Sequence, residues 1–223
     1  MGKIINIKLL KNQAYEGIKE RIINLTLRPN EQLVEQRLAQ QLGISKSPIR
    51  EAIQRLEREG LVYSLPFRGG FVAAVSEQDI REIFQLREAL ERFCIKNACL
   101  IFSGDDLKRI EKIISKADKA LQQGEIKGAY LIDIQLHDFL IKSSKNEKII
   151  QTYVNLRDHL NRYWNIASLI SGRVAKSHQE HILIIEAIAQ KDEVQAEKRI
   201  SEHLRSVLEE FIQSKEFRSY CGN

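Results

Sequence analysis

At 223 residues the chain has room for two modest domains or one large one. Residues 1–75 hold 12 Lys and Arg against 7 Asp and Glu, while the remainder balances at 23 of each, so the net +5 sits on the first third, as a polyanion-binding surface requires. Apolar runs such as 71–75 and 98–102 are too short to span a bilayer, and Cys94, Cys99 and Cys221 fit neither a zinc knuckle nor a redox pair; a soluble cytoplasmic protein with reduced thiols is expected.

Residues 1–11 show no clear period and predict only an arm or short lead-in. Tyr15 to Leu25 predicts a helix with Ile18, Ile22 and Leu25 on its core face, broken by Arg28-Pro29-Asn30. Leu33 to Leu42 predicts a second helix ended by Gly43, a residue suited to the left-handed conformation that closes helices. After the tight turn, Ser47 is a candidate N-cap with Pro48 at the first helical position, and Gly60 ends the third helix. Ile49, Ala52, Ile53 and Leu56 define its buried face, which leaves Arg50, Gln54 and Arg58 pointing elsewhere. Lys46, Ser47 and Arg50 therefore cluster at its amino end, the end that a recognition helix presents to base edges and phosphates. A hairpin follows: Leu61 to Ser64, a turn from Pro66 to Gly70 that contains Arg68, and Phe71 to Val75. Gly69 and Gly70 allow its backbone to pass close to a phosphate chain or minor groove.

The run LVEQRLAQQLGISKSPIREAIQRLEREGLV, followed by a glycine-bearing hairpin, resembles the winged helix-turn-helix of GntR-family transcription regulators over about forty residues. The resemblance implies that Arg50 reads a base and that Gly69 and Gly70 form the wing. Lys46 stands where the family has arginine; lacking the planar fork, it suits phosphate better than guanine. The competing reading is a helical hairpin used for protein contacts.

After Val75 strand signals give way to helical patterns separated by caps, so the expected fold is mainly α: the winged module (1–75), then an all-α antiparallel bundle of six or seven helices (76–223). Ser76 opens the first bundle helix, with Asp79 at the capping-box position; Ser103, Gly104 and Asp106 open the next, and Gly124 closes it. Further helices are expected over about Glu125 to Ser143, Glu147 to Ile170, Ser177 to Gln190 and Glu193 to Lys215, the last capped by Asp192.

Within this bundle the apolar stripes carry titratable residues. Asp133 and His137 lie four apart on the stripe Ile126, Ala129, Tyr130, Leu140, Ile141. His181 shares a face with Ile184, Ile185 and Ile188, and His203 with Ile200, Leu204, Val207 and Phe211. A lone carboxylate buried there would cost several kcal/mol; a metal ion is a partner that would satisfy it. Three imidazoles and a carboxylate suit zinc, nickel, cobalt, iron or manganese, a divalent transition metal, better than magnesium or calcium. Each histidine alone could be a hydrogen-bonded core residue, and His178 competes with His181 from three residues away. Arg87 falls on the stripe Ile80, Ile83, Phe84, Leu90, Cys94, where a guanidinium wants either a ligand's carboxylate or a buried acid from a neighbouring helix.

From Ser76 to Lys215 the chain resembles the FCD effector domain of the FadR branch of the GntR family. The motifs are DIQLH at 133–137, the EH pair at 180–181, and His203. The resemblance implies that Asp133, His137, His181 and His203 hold the metal, that a small carboxylate effector binds beside it, and that Arg87 assists. A ligand-responsive transcription regulator follows, acting as a homodimer on two-fold operator DNA. A metal-dependent hydrolase fused to a DNA-binding module is the alternative, weakened by the want of a general base: Glu180 precedes His181 but points about 100° away on an ideal helix. A constitutive architectural DNA binder would leave the buried histidines and Arg87 without purpose.

Overall fold

The computed structural model describes residues 2–74, 76–167 and 170–220, with the side chains of 2–8 and 133 outside the description. The chain forms two compact units: the residues up to Ser76 with residues 218–220, and Glu77–Phe217.

In the first unit α1 spans Gly2–Ile23, so the first eleven residues are helical rather than an irregular lead-in. No proline interrupts residues 2–23, and once a turn anchored by Ala14, Tyr15, Ile18 and Ile22 is buried, each residue added upstream gains a backbone hydrogen bond. Leu25 adopts a left-handed φ of 61° beyond the helix, and Leu27 is buried instead.

Helices α2 (Glu35–Leu42) and α3 (Lys46–Arg58) are joined through Gly43 at φ 67°, as the sequence predicts. The N-cap of α3 is Ser45 and not Ser47. Pro48 thus occupies the third helical position, tolerated because first-turn N–H groups lack helical partners anyway. Leu38, Ile49, Ala52, Ile53 and Leu56 pack with Ile18 and Ile22 of α1 and with Leu61, Val62 and Val72 of the hairpin. Leu56 is fully buried, and Leu56→Ala should destabilise this unit by about 2–5 kcal/mol, read as a lowered midpoint in urea unfolding.

Strands β1 (Val62–Leu65) and β2 (Gly69–Val72) pair antiparallel with Val62 opposite Val72 and Leu65 opposite Gly69. Residues 30–33 cover the other edge of β2: Leu33 N–H donates to the Gly70 carbonyl (2.8 Å) and Val72 N–H to that of Glu31 (2.9 Å). Gly70 is buried, and a Cβ there would come within 3.0 Å of Ile53 Cγ2. Its smallness lets the hairpin lie directly against α3.

The second unit contains α4 (Glu77–Ile101), α5 (Gly104–Gln122), α6 (Ile126–Ser143), α7 (Glu147–Ala167), α8 (Arg173–Ala189) and α9 (Glu193–Gln213); α10 (Lys215–Tyr220) follows. Ser103 and Asp106 form the expected capping box, and Asp192 accepts from Gln195 N–H. Two boundaries differ from the sequence reading. Helix α8 starts one turn before Ser177, after Gly172 turns the chain at φ 76°, and extended Ser214 separates α9 from α10. Helix α4 packs along α9, α5 on α6, and α8 on α9. Among the described residues, no helix is long and apolar enough to cross a membrane.

The core of this bundle is apolar at Ile80, Phe84, Ile95, Leu140, Leu160, Ile184, Ile200, Leu204 and Phe211, yet it encloses Arg87, Glu91, Arg173, His137, His181 and His203. Cys94 and Cys99 are packing residues, and burial pushes the Cys94 thiol up to about 11.

Candidate functional site

Helices α6, α8 and α9 bring His137, His181 and His203 together, each no more than 2% exposed. One ring nitrogen from each lies within 4.8 Å of the others, and Nε2 of His181 is 3.1 Å from Nε2 of His203. Nitrogens that share a metal at about 2.1 Å are separated by about 3.0–3.4 Å, a spacing that the His181–His203 pair already has.

Two acids orient the rings from behind. Nδ1 of His137 is 2.7 Å from Oε2 of Glu91, and Nδ1 of His203 is 2.8 Å from Oε2 of Glu180. A carboxylate only accepts, so each Nδ1 carries the hydrogen, and the neutral tautomer that results has its lone pair on Nε2. Carboxylates behind metal-binding histidines act in this way, fixing tautomer and raising basicity. Burial holds His137 below the ordinary imidazole range despite the pull of Glu91, which favours the neutral, ligating form. Burial would push the Glu91 carboxyl up, but Arg87 and His137 outweigh it and hold it well below the usual carboxylate range. The donor set therefore fits a divalent transition metal. Asp133 is on α6, four residues before His137, but its side chain lies outside the described residues.

Arg87 finds its acid on its own helix rather than on a neighbour: Nε donates to Oε1 of Glu91 at 2.5 Å, with both side chains buried. Its guanidinium also lies 5.1 Å from the Trp164 ring and faces a small cavity. Arg87, Tyr130, His137, Trp164, Arg173 and His203 line that cavity. The chamber thus joins two guanidinium groups to two of the clustered imidazoles. Arg173, 4% exposed, donates to Ser177 and Ser206 and pairs with Glu180 (2.5 Å) and Glu210 (3.0 Å). His178 stays outside the cluster, bound through Nε2 to Oδ1 of Asp118 at 2.6 Å.

Sequence reasoning missed Glu91 and Arg173, and it weighed Glu180 only as a general base, not as the acid behind His203. Glu91 stands four residues after Arg87 on the same buried stripe, a signal that was present. Arg173, Ser177 and Glu180 also share one face of α8, visible only once the helix is started at the correct turn.

On the first unit, Lys46, Ser47 and Arg50 are exposed on the first turns of α3. Arg50 donates from Nε and Nη2 to the two oxygens of Glu35, both at 2.9 Å, a planar two-point fork. That hydrogen bonding holds the Glu35 carboxyl below its ordinary range. Arg68 and Gly69 are exposed at the hairpin tip, Gly69 at φ 80° with open space around its Cα. Gly70, expected beside them on the DNA, is buried against Ile53.

Residues 10–72 match the model of the gntR family of bacterial regulatory proteins, and residues 82–206 match that of the FCD domain. An uncharacterized HTH-type transcriptional regulator of Bacillus subtilis, YdhC, is 28% identical over 210 residues, which cover 89% of this chain and 92% of the relative. The structure of Escherichia coli McbR/YncC shares the fold with a TM-score of 0.73 at 19% identity, covering 92% of this chain and 97% of that one. The Zn2+-bound FCD domain of the regulator TM0439 is 31% identical with a TM-score of 0.52, covering 63% of this chain and 96% of that one. These are regulators and not enzymes, and with an FCD domain over more than half its length behind a GntR helix-turn-helix, the chain belongs to the FCD-bearing GntR family of DNA-binding transcription regulators.

Proposed function

We propose that the protein is a homodimeric regulator whose grip on operator DNA responds to a small organic acid bound at a metal centre in the helical bundle. The observation that carries this reading is the convergence of three buried imidazoles, two of them backed by carboxylates. His137, His181 and His203 hold a divalent transition metal, zinc or nickel among the candidates, with Asp133 as a fourth ligand from α6. When bound, the ion offers open coordination positions to a carboxylate oxygen. The zinc-bound form of TM0439 supports this assignment.

In the adjoining cavity, Arg87 and Arg173 receive the remaining negative charge of the acid, Arg87 sharing its guanidinium between Glu91 and the ligand. On the DNA side, Arg50 contacts a base edge and Lys46, Ser47, Arg68 and the Gly69 backbone contact phosphate or the groove wall. One such module reads few bases, so two copies on a two-fold site are needed. The acid changes operator affinity only to the extent that it binds the two dimer arrangements unequally, and the coupling is reciprocal.

The test is a melting series on the full chain stripped with chelator, then supplied with Zn2+ or Ni2+, then with single organic acids. Metal should raise Tm, and one acid should raise it further while shifting an operator fragment in a gel. An unchanged Tm on adding every metal would remove the sensing half of the reading.

A further inference from the structure

We propose that Phe67 is a wedge: the tip of the hairpin presses its ring into the minor groove of the operator, against the stacked base pairs beside the site that α3 reads.

Residues 65–68 form a tight turn in which Arg68 N–H donates to the Leu65 carbonyl at 3.1 Å. Pro66 suits the second position, and the third, Phe67, has φ 61°. Glycine or asparagine normally fills a third position of positive φ, and a bulky side chain there is an outlier. Nothing in the fold offsets that strain, because Phe67 is 109% exposed relative to an open reference chain. Glycine would make the domain more stable, so stability does not account for the aromatic ring. Strain held at an exposed tip points to a contact made with a partner.

The surroundings specify the partner. Residues 60–72 contain Arg68 and no acid, on the segment that holds all of the chain's surplus positive charge. The tip is also braced: Gln32 Nε2 donates to the Arg68 carbonyl at 2.7 Å, and Gly70 seats β2 against Ile53 of α3. A rigid, projecting apolar ring flanked by a guanidinium fits a surface whose rims are anionic and whose base steps part to expose an apolar stack. The minor groove is such a surface, and side chains inserted there unstack a base step and kink the duplex. Pyrimidine–purine steps yield most readily, so the operator should carry a TA or CA/TG step under each hairpin.

The proposal rests on the DNA-reading role of the module, and the experiment separates the two. The full-length protein selects its duplex from a random library, and the enriched duplex is the probe for wild type, Phe67→Gly, Phe67→Trp and Arg68→Ala. Phe67→Gly should melt about 2 °C higher, through relief of the left-handed strain. It should bind about tenfold or more weakly, the scale of one lost aromatic–base contact. It should also lose the DNA bend in a circular-permutation gel and keep the salt slope of wild type. Phe67→Trp should retain affinity and bend, whereas Arg68→Ala should flatten the salt slope by about one unit. Phe67→Gly with wild-type affinity and bend overturns the wedge, as does a change in its oligomeric state with DNA binding intact, which would assign the ring to a protein contact. If wild type enriches no duplex, the DNA-reading role itself fails and the wedge falls with it.

Discussion

His203→Ala should abolish stable metal binding: elemental analysis of the purified variant should fall from about one ion per chain to near none. The ring supplies one of three clustered nitrogens and is aimed by Glu180, so its loss removes both a ligand and the anchor of the α9 side of the site. Saturating metal at about a thousand times Kd stabilises a folded protein by about 4 kcal/mol. For a chain of this size that is roughly 8–16 °C of Tm, which wild type should show on adding Zn2+ and His203→Ala should lack. Glu180→Gln separates orientation from ligation: it keeps all three imidazoles and should weaken metal affinity by about 10–100-fold. Equal metal content in wild type and His203→Ala would place the ion elsewhere.

Arg50→Ala should cost about 1–3 kcal/mol of discrimination, about 5- to 150-fold, between operator and random DNA. The guanidinium stands at the exposed amino end of α3 and is held by both oxygens of Glu35, so its fork is already planar and directed before DNA arrives. Non-specific affinity should change little beyond the loss of one charge. Competition titrations with operator and random duplex measure the ratio directly; an unchanged ratio would transfer base reading to another residue. Glu35→Ala should give a smaller loss of discrimination, since the arginine remains but its orientation is no longer set.

The helix-turn-helix was legible because local rules agree there: an apolar period of 3.6, Gly43 at the turn, and a basic helix start. The bundle's helices and most of its caps were legible for the same reason. The misread start of α3 came from two serines, Ser45 and Ser47, that both suit a cap by residue type; only the backbone distinguishes them. The first half of α1 escaped because residues 1–11 present no clear apolar period, whereas its second half, around Ile18 and Ile22, was legible. At the histidine cluster, placing the imidazoles on buried stripes required periodicity alone, and the structure brings His137, His181 and His203 together. The supporting acids were harder. Glu180 indeed projects away from His181 along α8, but α9 carries His203 across to meet it, a tertiary fact that no helical wheel contains. Arg87 lacked a visible partner only because its acid was sought on another helix.

The seat of Gly70 on Ile53 has a mechanical meaning. With no side chain between them, hairpin and third helix have no hinge, and their two protruding tips keep a fixed separation, like the points of a welded fork. A force applied elsewhere can then neither spread nor close those points; it has to carry the whole fork at once.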